Sequence, residues 1–456
     1  MRRNRSRQVN TIPQQPVLRK TTGLCSACLR AVPAEVREED GAIRLVKICR
    51  EHGETRALLS EHPSDFREIH DFFFDVMDRP LPQRDFILRL TERCNLNCPI
   101  CLAGANQDIL PDMTPADIRR LARSCRGRKF DLMGCEPTVM QDLPEIIGIL
   151  RETRNIAALH SNGLELADRA YLQTLKKAGL DEVHLQFDGF DDRAYEVIRG
   201  RPLLDTKLKA MDNLSALAVP VDLVMTVLAG VNEQEMLRVL EFGLKRENVK
   251  EIFFLGCRML GKAAAGGRFE SAQLMPDQVI DLLDRATGGR IARANVRRFQ
   301  KLYYTFLSVF GVRKCLYVQH YLVFRDARRG YLTVDEVINM PRLERALERY
   351  RKRRRTRRGT AAVLLALESM PVFLTPRCLR YAADLLAMNL MMALGFNLRR
   401  ARSKGVMLGY ITACDPRIYD ASVAEQCGKG EISRDLGFQE SGALANVMRE
   451  HRWRRP

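Results

Sequence analysis

The chain has no run of 18 uncharged apolar residues, so a simple membrane span is not expected. No apolar core follows its basic first stretch, MRRNRSRQVNTIPQQP, which excludes a secretory signal. No Trp, Phe or Tyr stands between residues 351 and 372, the most basic part of the chain, so base stacking on single-stranded nucleic acid has little support there. No internal repeat is visible. Acidic residues are the minority charge: 56 Asp and Glu face 74 Lys and Arg, for a formal net charge of +18. That excess points to an anionic partner, whether nucleic acid, acidic lipid or a phosphorylated substrate.

The 456 residues are 46% apolar and 29% charged, an ordinary globular balance that argues against global disorder. At about 100–200 residues per domain, two to four domains are expected. Without a secretory signal the default compartment is the cytoplasm. Thiols stay reduced there, so 13 cysteines point to metal binding rather than to disulfides.

Residues 1–20 read as a disordered basic tail, and 21–84 as a Cys3His metal ribbon followed by a helix. Strand alternation through AIRLVKI (42–48) and helical spacing through 62–77 support that division. From residue 85 to 265, apolar strand-like runs alternate with amphipathic helices. The runs are 86–90, 129–133, 155–160, 182–187, 221–227 and 251–256. Between the first two, Thr114, Pro115 and Asp117 form a helix-start signature. Six strand–helix repeats imply parallel strands with right-handed crossovers, hence an α/β fold built on a partial (β/α)6 barrel. In such folds chemistry gathers at the C-terminal ends of the strands. After residue 265 the alternation stops. Residues 266–400 read as basic and mainly helical, with the tract RKRRRTRR (351–358) and apolar stretches at 361–370 and 381–396; residues 401–456 form a C-terminal segment. A tract of this kind beside apolar helices favours an acidic membrane surface over nucleic acid.

The strongest chemical signal is Cys94-Asn-Leu-Asn-Cys98-Pro-Ile-Cys101, directly after the first barrel strand. Three thiolates at that spacing can hold three irons of a [4Fe–4S] cube and leave the fourth iron open. The motif resembles the Cys-x3-Cys-x2-Cys loop of radical S-adenosylmethionine (SAM) enzymes, with Ile100 where an aromatic residue often stands. The resemblance covers residues 85–265. Gly134-Cys135-Glu136-Pro137 looks like that family's Gly-Gly-Glu-Pro loop, and His160-Ser161-Asn162-Gly163 like its Thr-Asn-Gly turn. Gln186 and Asp188 end the fourth strand, where the family places polar groups. The resemblance implies that Cys94, Cys98 and Cys101 hold a [4Fe–4S] cluster and that Gly134, Glu136, Ser161, Asn162 and Asp188 contact SAM. It further implies a reductant such as ferredoxin or flavodoxin.

Near the N-terminus, Cys25-x2-Cys28 and Cys49-x2-His52 form a four-ligand set suited to zinc or a mononuclear iron. Together with the cluster motif and LQFDGFDDRAYEVIRGRPLLDTKLKA (185–210), this set resembles the radical SAM branch that contains archaeal tetraether lipid synthase. That branch carries auxiliary-cluster cysteines where this chain has MDRPLPQRDF (77–86), without cysteine. The resemblance implies hydrogen abstraction from an unactivated carbon of a lipid, isoprenoid or other hydrophobic substrate, with C–C bond formation as one outcome; the basic tract beside apolar helices adds a peripheral membrane location as an expectation. Modification of a peptide or RNA is the alternative enzyme reading, and a non-catalytic metal-binding scaffold at a membrane the third. Cys257, Cys315, Cys414 and Cys427 are candidates for a second cluster, although no tight spacing joins them.

Overall fold

The computed structural model describes residues 17–78, 85–107, 110–356, 358–381, 404–412 and 415–453. Most of the expected tail, the stretch 381–396 beyond Tyr381, and Cys414 therefore lie outside the described residues.

Four strands form an antiparallel meander: β1 (Val17–Leu24), β2 (Ala31–Glu39), β3 (Ala42–Cys49) and β4 (Gly53–Ser60). Asp40 and Gly41 both have positive φ, 50° and 73°, the conformation a two-residue hairpin needs to match strand twist. Val17–Leu24 pairs with Ala31–Arg37, so the ribbon already begins within the stretch expected as tail. Backbone pairing holds it, although its own side chains are mostly exposed or half-buried. The helix Pro63–Val76 follows and buries Ile69, Phe72, Phe73 and Val76 on one stripe.

The six expected strands are present: β5 (Asp85–Thr91), β6 (Lys129–Gly134), β7 (Ile156–Ser161), β8 (Glu182–Gln186), β9 (Val221–Val227) and β10 (Val249–Gly256). They pair in parallel and in chain order, as an alternating strand–helix pattern requires. The helix Pro115–Ser124 starts with the expected capping box between Thr114 and Asp117. The α/β fold class, a partial barrel with an N-terminal ribbon and a mainly helical C-terminal region, is as expected.

The C-terminal half contributes more strands than its pattern announced. The hairpin β11 (Val318–Asp326) and β12 (Gly330–Thr333) lies within the mainly helical region. β13 (Gly405–Thr412) pairs parallel to β10 and antiparallel to β11. On the other edge β14 (Lys429–Ser433) pairs parallel to β5, followed by β15 (Gly437–Gln439). The result is an eleven-stranded sheet in the order β12-β11-β13-β10-β9-β8-β7-β6-β5-β14-β15.

Several arginines of the basic tract are paired, and one of them, Arg354, is buried. Arg351 and Arg355 pair with Asp75, Arg353 with Glu368, and buried Arg354 with Asp78 at 2.8 Å. These pairs link the helix Met340–Arg354 to the helices Pro63–Val76 and Arg358–Phe373. Beyond it, the helix Arg358–Phe373 leaves Val363, Leu367 and Met370 exposed, and Leu374 beyond its end. Among the described residues no helix is long and apolar enough to cross a membrane.

Candidate active site at the strand ends

The cysteine loop leaves β5 and is shaped by one asparagine. Asn106 accepts from the Cys94 amide at 2.9 Å and donates to the Cys94 and Leu96 carbonyls at 3.1 and 3.3 Å. Cys98 is buried, and Cys94 and Cys101 are half-buried against Leu96, Ile100, Ile198 and Met259. N–H groups aim at the sulfurs: Leu96 N lies 3.3 Å from Cys94 Sγ, and Ala105 N 3.4 Å from Cys101 Sγ. Asn162 Nδ2 reaches Cys94 Sγ at 3.8 Å. The Arg199 guanidinium lies close enough to Cys98 to act on its thiol electrostatically. Burial pushes the Cys94 thiol up to about 12 and raises Cys98 as well, so protons occupy these sulfurs until iron displaces them. An apolar wall with N–H donors on the sulfurs is what an iron–sulfur cluster needs, and these residues fit one.

From across the mouth, Gly261 presses on this loop. Its φ is +54°, and a Cβ there would lie 2.6 Å from the Cys101 carbonyl oxygen. Gly134 is tighter still, at φ +122° with a virtual Cβ 2.3 Å from the Thr91 carbonyl oxygen. Gly134→Ala is expected to cost about 2 kcal/mol, because both clash and strain are in the backbone. A urea unfolding midpoint equal to that of the wild type would disprove this reading.

Glu136 is fully buried. Oε1 accepts from Thr138 N at 3.2 Å, Thr138 Oγ1 at 2.6 Å and Ser161 Oγ at 2.9 Å, and Oε2 from Asn162 N at 2.7 Å. It therefore ties the β6 loop to the end of β7, and its Oε2 keeps a lone pair for a ligand. Burial raises its pKa against those four donors. Asn162 also donates to Asn95 Oδ1 at 2.7 Å and accepts from Leu164 N at 2.9 Å, while Gly163 supplies the positive φ of the turn.

Asp188 is fully buried and holds Arg199 through Nε at 2.7 Å and Nη2 at 3.0 Å, with Thr226 N at 3.0 Å. It does not cap the next helix; Asp191 does. The cations that converge on this site, Arg199 and Lys207, were not anticipated. Lys207 is fully buried, donates to the Asn162 carbonyl and lies 2.5 Å from Gln186 Oε1; burial pushes its ammonium down to about 7. The signal was a lysine within the apolar stripe formed by Leu203, Ala210, Met211 and Leu214.

In the ribbon, Cys25, Cys28, Cys49 and His52 offer ligand atoms that all lie within 4.8 Å of one another. Cys28 and Cys49 sulfurs are 4.0 Å apart, and His52 Nδ1 is 3.7 Å from Cys25 Sγ and 3.5 Å from Cys49 Sγ. Those separations match the edges of a tetrahedral zinc site. His52 and nearby backbone amides lower the Cys49 thiol to about 6. Among the described residues Cys257, Cys315 and Cys427 join no such group. Cys257 packs beside the cluster loop, and Cys427 Sγ approaches the Lys429 carbonyl at 3.4 Å.

A model of the radical SAM superfamily matches residues 88–243, and one described as the HMPTM N-terminal zinc ribbon domain matches residues 17–61. The chain is 32% identical over 302 residues to 7,8-dihydro-6-hydroxymethylpterin dimethyltransferase of Methanocaldococcus jannaschii, covering 60% of this chain and 60% of that protein. It is 34% identical over 167 residues to a probable GTP 3',8-cyclase of Pyrococcus abyssi, covering 36% of this chain and 54% of that one. The chain thus spans less than two thirds of either relative. Streptococcus suis SuiB bound to S-adenosylmethionine aligns with a TM-score of 0.40 at 12% identity, over 55% of this chain and 69% of its own.

Proposed function

Since residues 88–243 belong to the radical SAM superfamily, we propose that this chain uses Cys94, Cys98 and Cys101 to hold a [4Fe–4S] cluster and takes hydrogen from an unactivated carbon of a lipid or isoprenoid chain. The observation that carries the enzyme reading is the meeting of a three-cysteine loop, with N–H donors on its sulfurs, and polar groups from the ends of β6, β7 and β8. When bound, the cluster and SAM supply a 5′-deoxyadenosyl radical once a reductant such as ferredoxin or flavodoxin delivers an electron. The protein's own work is orientation and exclusion of water. Gly134 brings backbone close to the SAM methionine. Glu136 offers its remaining lone pair to the ammonium and, with Ser161, sets the Asn162 turn. Asp188 positions Arg199 toward the anionic end of the ligand. Cys25, Cys28, Cys49 and His52 hold a structural zinc or iron.

Glu136→Ala is expected to weaken SAM binding about tenfold or more, roughly 1.4 kcal/mol, while leaving the brown cluster absorbance intact. Loss of that absorbance would instead make Glu136 part of the cluster's scaffold.

Support for a hydrophobic substrate comes from the exposed row Val363, Leu367, Met370 and Leu374, near the exposed Leu379 and the basic Arg377 and Arg380. A second reading, a pterin-like heterocycle, is favoured by the 32% identity to a protein named for pterin dimethylation. Two measurements separate them. Reduced protein with SAM should release 5′-deoxyadenosine, and a deletion strain should lose or gain a lipid species in comparative lipidomics. Unchanged lipids together with an altered pterin pool would replace the first substrate class by the second. Failure to cleave SAM would remove the enzyme reading altogether.

A further inference from the structure

The proposed chemistry leaves Lys207 without a task, although its place in the fold is unfavourable for a charge. The side chain leaves the buried stripe of the helix Leu204–Ala216 and is fully buried. Its ammonium donates to the Asn162 carbonyl and to Gln186 Oε1 at 2.5 Å, and among the described residues no carboxylate forms an ion pair with it. Both acceptors are neutral. A buried ammonium without a counter-ion is destabilising, and burial accordingly pushes this one down to about 7.

The neighbouring carboxylates are committed to other donors. Asp188 accepts from Gln186 Nε2 and Arg199 Nε on Oδ2, and from Arg199 Nη2 and the Thr226 amide on Oδ1, which fills its four acceptor directions. Glu136 accepts from Thr138, Ser161 and Asn162.

What Lys207 does reach is a chain of hydrogen bonds that joins the two sides of the site. On one side it holds the carbonyl of Asn162, whose amide donates to Glu136 Oε2 at 2.7 Å. On the other it decides which way the Gln186 amide group points. An ammonium can only donate, so Gln186 must turn Oε1 to Lys207 and Nε2 to Asp188. The reverse orientation would set N–H against ammonium and oxygen against carboxylate. Asp188, held in this way, carries Arg199. Lys207 is closed to solvent while Asn162 and Gln186 are half-buried, so it acts through these neighbours.

We propose that Lys207 is a positioning residue for the carboxylate of SAM: it locks the Gln186 amide so that Asp188 aims Arg199, and it adds a second positive charge behind that anion. The proposal rests on the SAM-binding reading above. The ligand's carboxylate supplies the counter-ion that Asp188 and Glu136 do not.

The test compares SAM with decarboxylated SAM, which keeps the adenosine, the sulfonium and the amine but has no carboxylate. Dissociation constants are measured by anaerobic isothermal titration calorimetry on the full chain with its cluster reconstituted. Lys207→Met keeps an unbranched stem without the charge. It should bind SAM about tenfold more weakly than the wild type, as a lost charge-assisted interaction predicts, yet bind decarboxylated SAM as tightly as the wild type does. Gln186→Leu breaks the link to Asp188 and leaves the charge in place. It should show the same selective loss to a smaller degree, and it carries the test if Lys207→Met does not retain the cluster absorbance. Equal weakening toward both ligands would mean that Lys207 only braces the fold, and unchanged affinity for SAM that it has no part in the site; either result overturns the proposal. A wild type that binds no SAM would remove the radical SAM reading and this proposal with it, whereas a wild type that binds SAM beside variants without the selective loss would remove this proposal alone.

Discussion

Cys98→Ala is expected to abolish the proposed cluster and with it SAM cleavage: purified anaerobically, the variant should be colourless and form no 5′-deoxyadenosine. Cys98 is the most buried of the three loop cysteines and belongs to one apolar cluster with Ile198 and Met259. Arg199 keeps its bonds to Asp188 and Thr226 in the variant, so the loss falls on the cluster. Two remaining thiols cannot hold a cube that needs three. The melting temperature should fall only modestly, because the methyl group of alanine still fills part of the site. A variant that keeps iron, sulfide and activity would rule out the cysteine loop as the cluster site.

Cys49→Ala should unfold the ribbon while leaving the cluster colour. Structural zinc contributes about 10–16 kcal/mol to folding in small zinc-dependent peptides, far more than a four-stranded meander could recover by packing alone. Limited proteolysis should cut within residues 17–61 of the variant and leave the barrel intact. Acid should act in the same direction. The Cys49 thiol is lowered to about 6, so its thiolate predominates above that value and is ready to ligate at neutral pH. Metal retention in the wild type should weaken as the pH is lowered, because protons compete for the ligands. The damage should travel further. Lys47 of the ribbon donates to the Pro416 carbonyl at 2.7 Å, and Thr21 Oγ1 donates to Asp420 at 2.7 Å. The same loop contains Asp415, which pairs with Arg258 at 2.9 Å, next to Cys257 at the barrel mouth. Reduced activity with an intact cluster would follow. Full activity after loss of the ribbon metal would show that the ribbon is dispensable.

The barrel was legible because parallel strands covered on both faces must be written as apolar runs, and helices between them as amphipathic stripes. The cysteine loop and the ribbon were legible because their ligands are close in sequence. What stayed hidden depends on distant partners. Nothing local in KGEIS marks β14 as a neighbour of β5, because its pairing joins Lys429 to Asp85 across most of the chain. Asp188 read as a SAM contact; its carboxylate also holds Arg199, a pairing only the folded helix reveals. The pairing of the arginine tract was hidden because Asp75, Asp78 and Glu368 come from segments far away or from the next helix. His160 and His184 are 24 positions apart but directly paired across neighbouring strands, a register that pattern alone does not state.

The position of β14 has a consequence for biosynthesis. β5 carries the cysteine loop, and its outer edge is closed by a strand that is translated hundreds of residues later. Until then the backbone groups of that edge are uncovered beside three reactive thiols, a state prone to mispairing and oxidation. Iron–sulfur loading on a ribosome-bound chain would thus meet an unfinished barrel, and a nascent chain stalled before β14 should collect less cluster than one released after it.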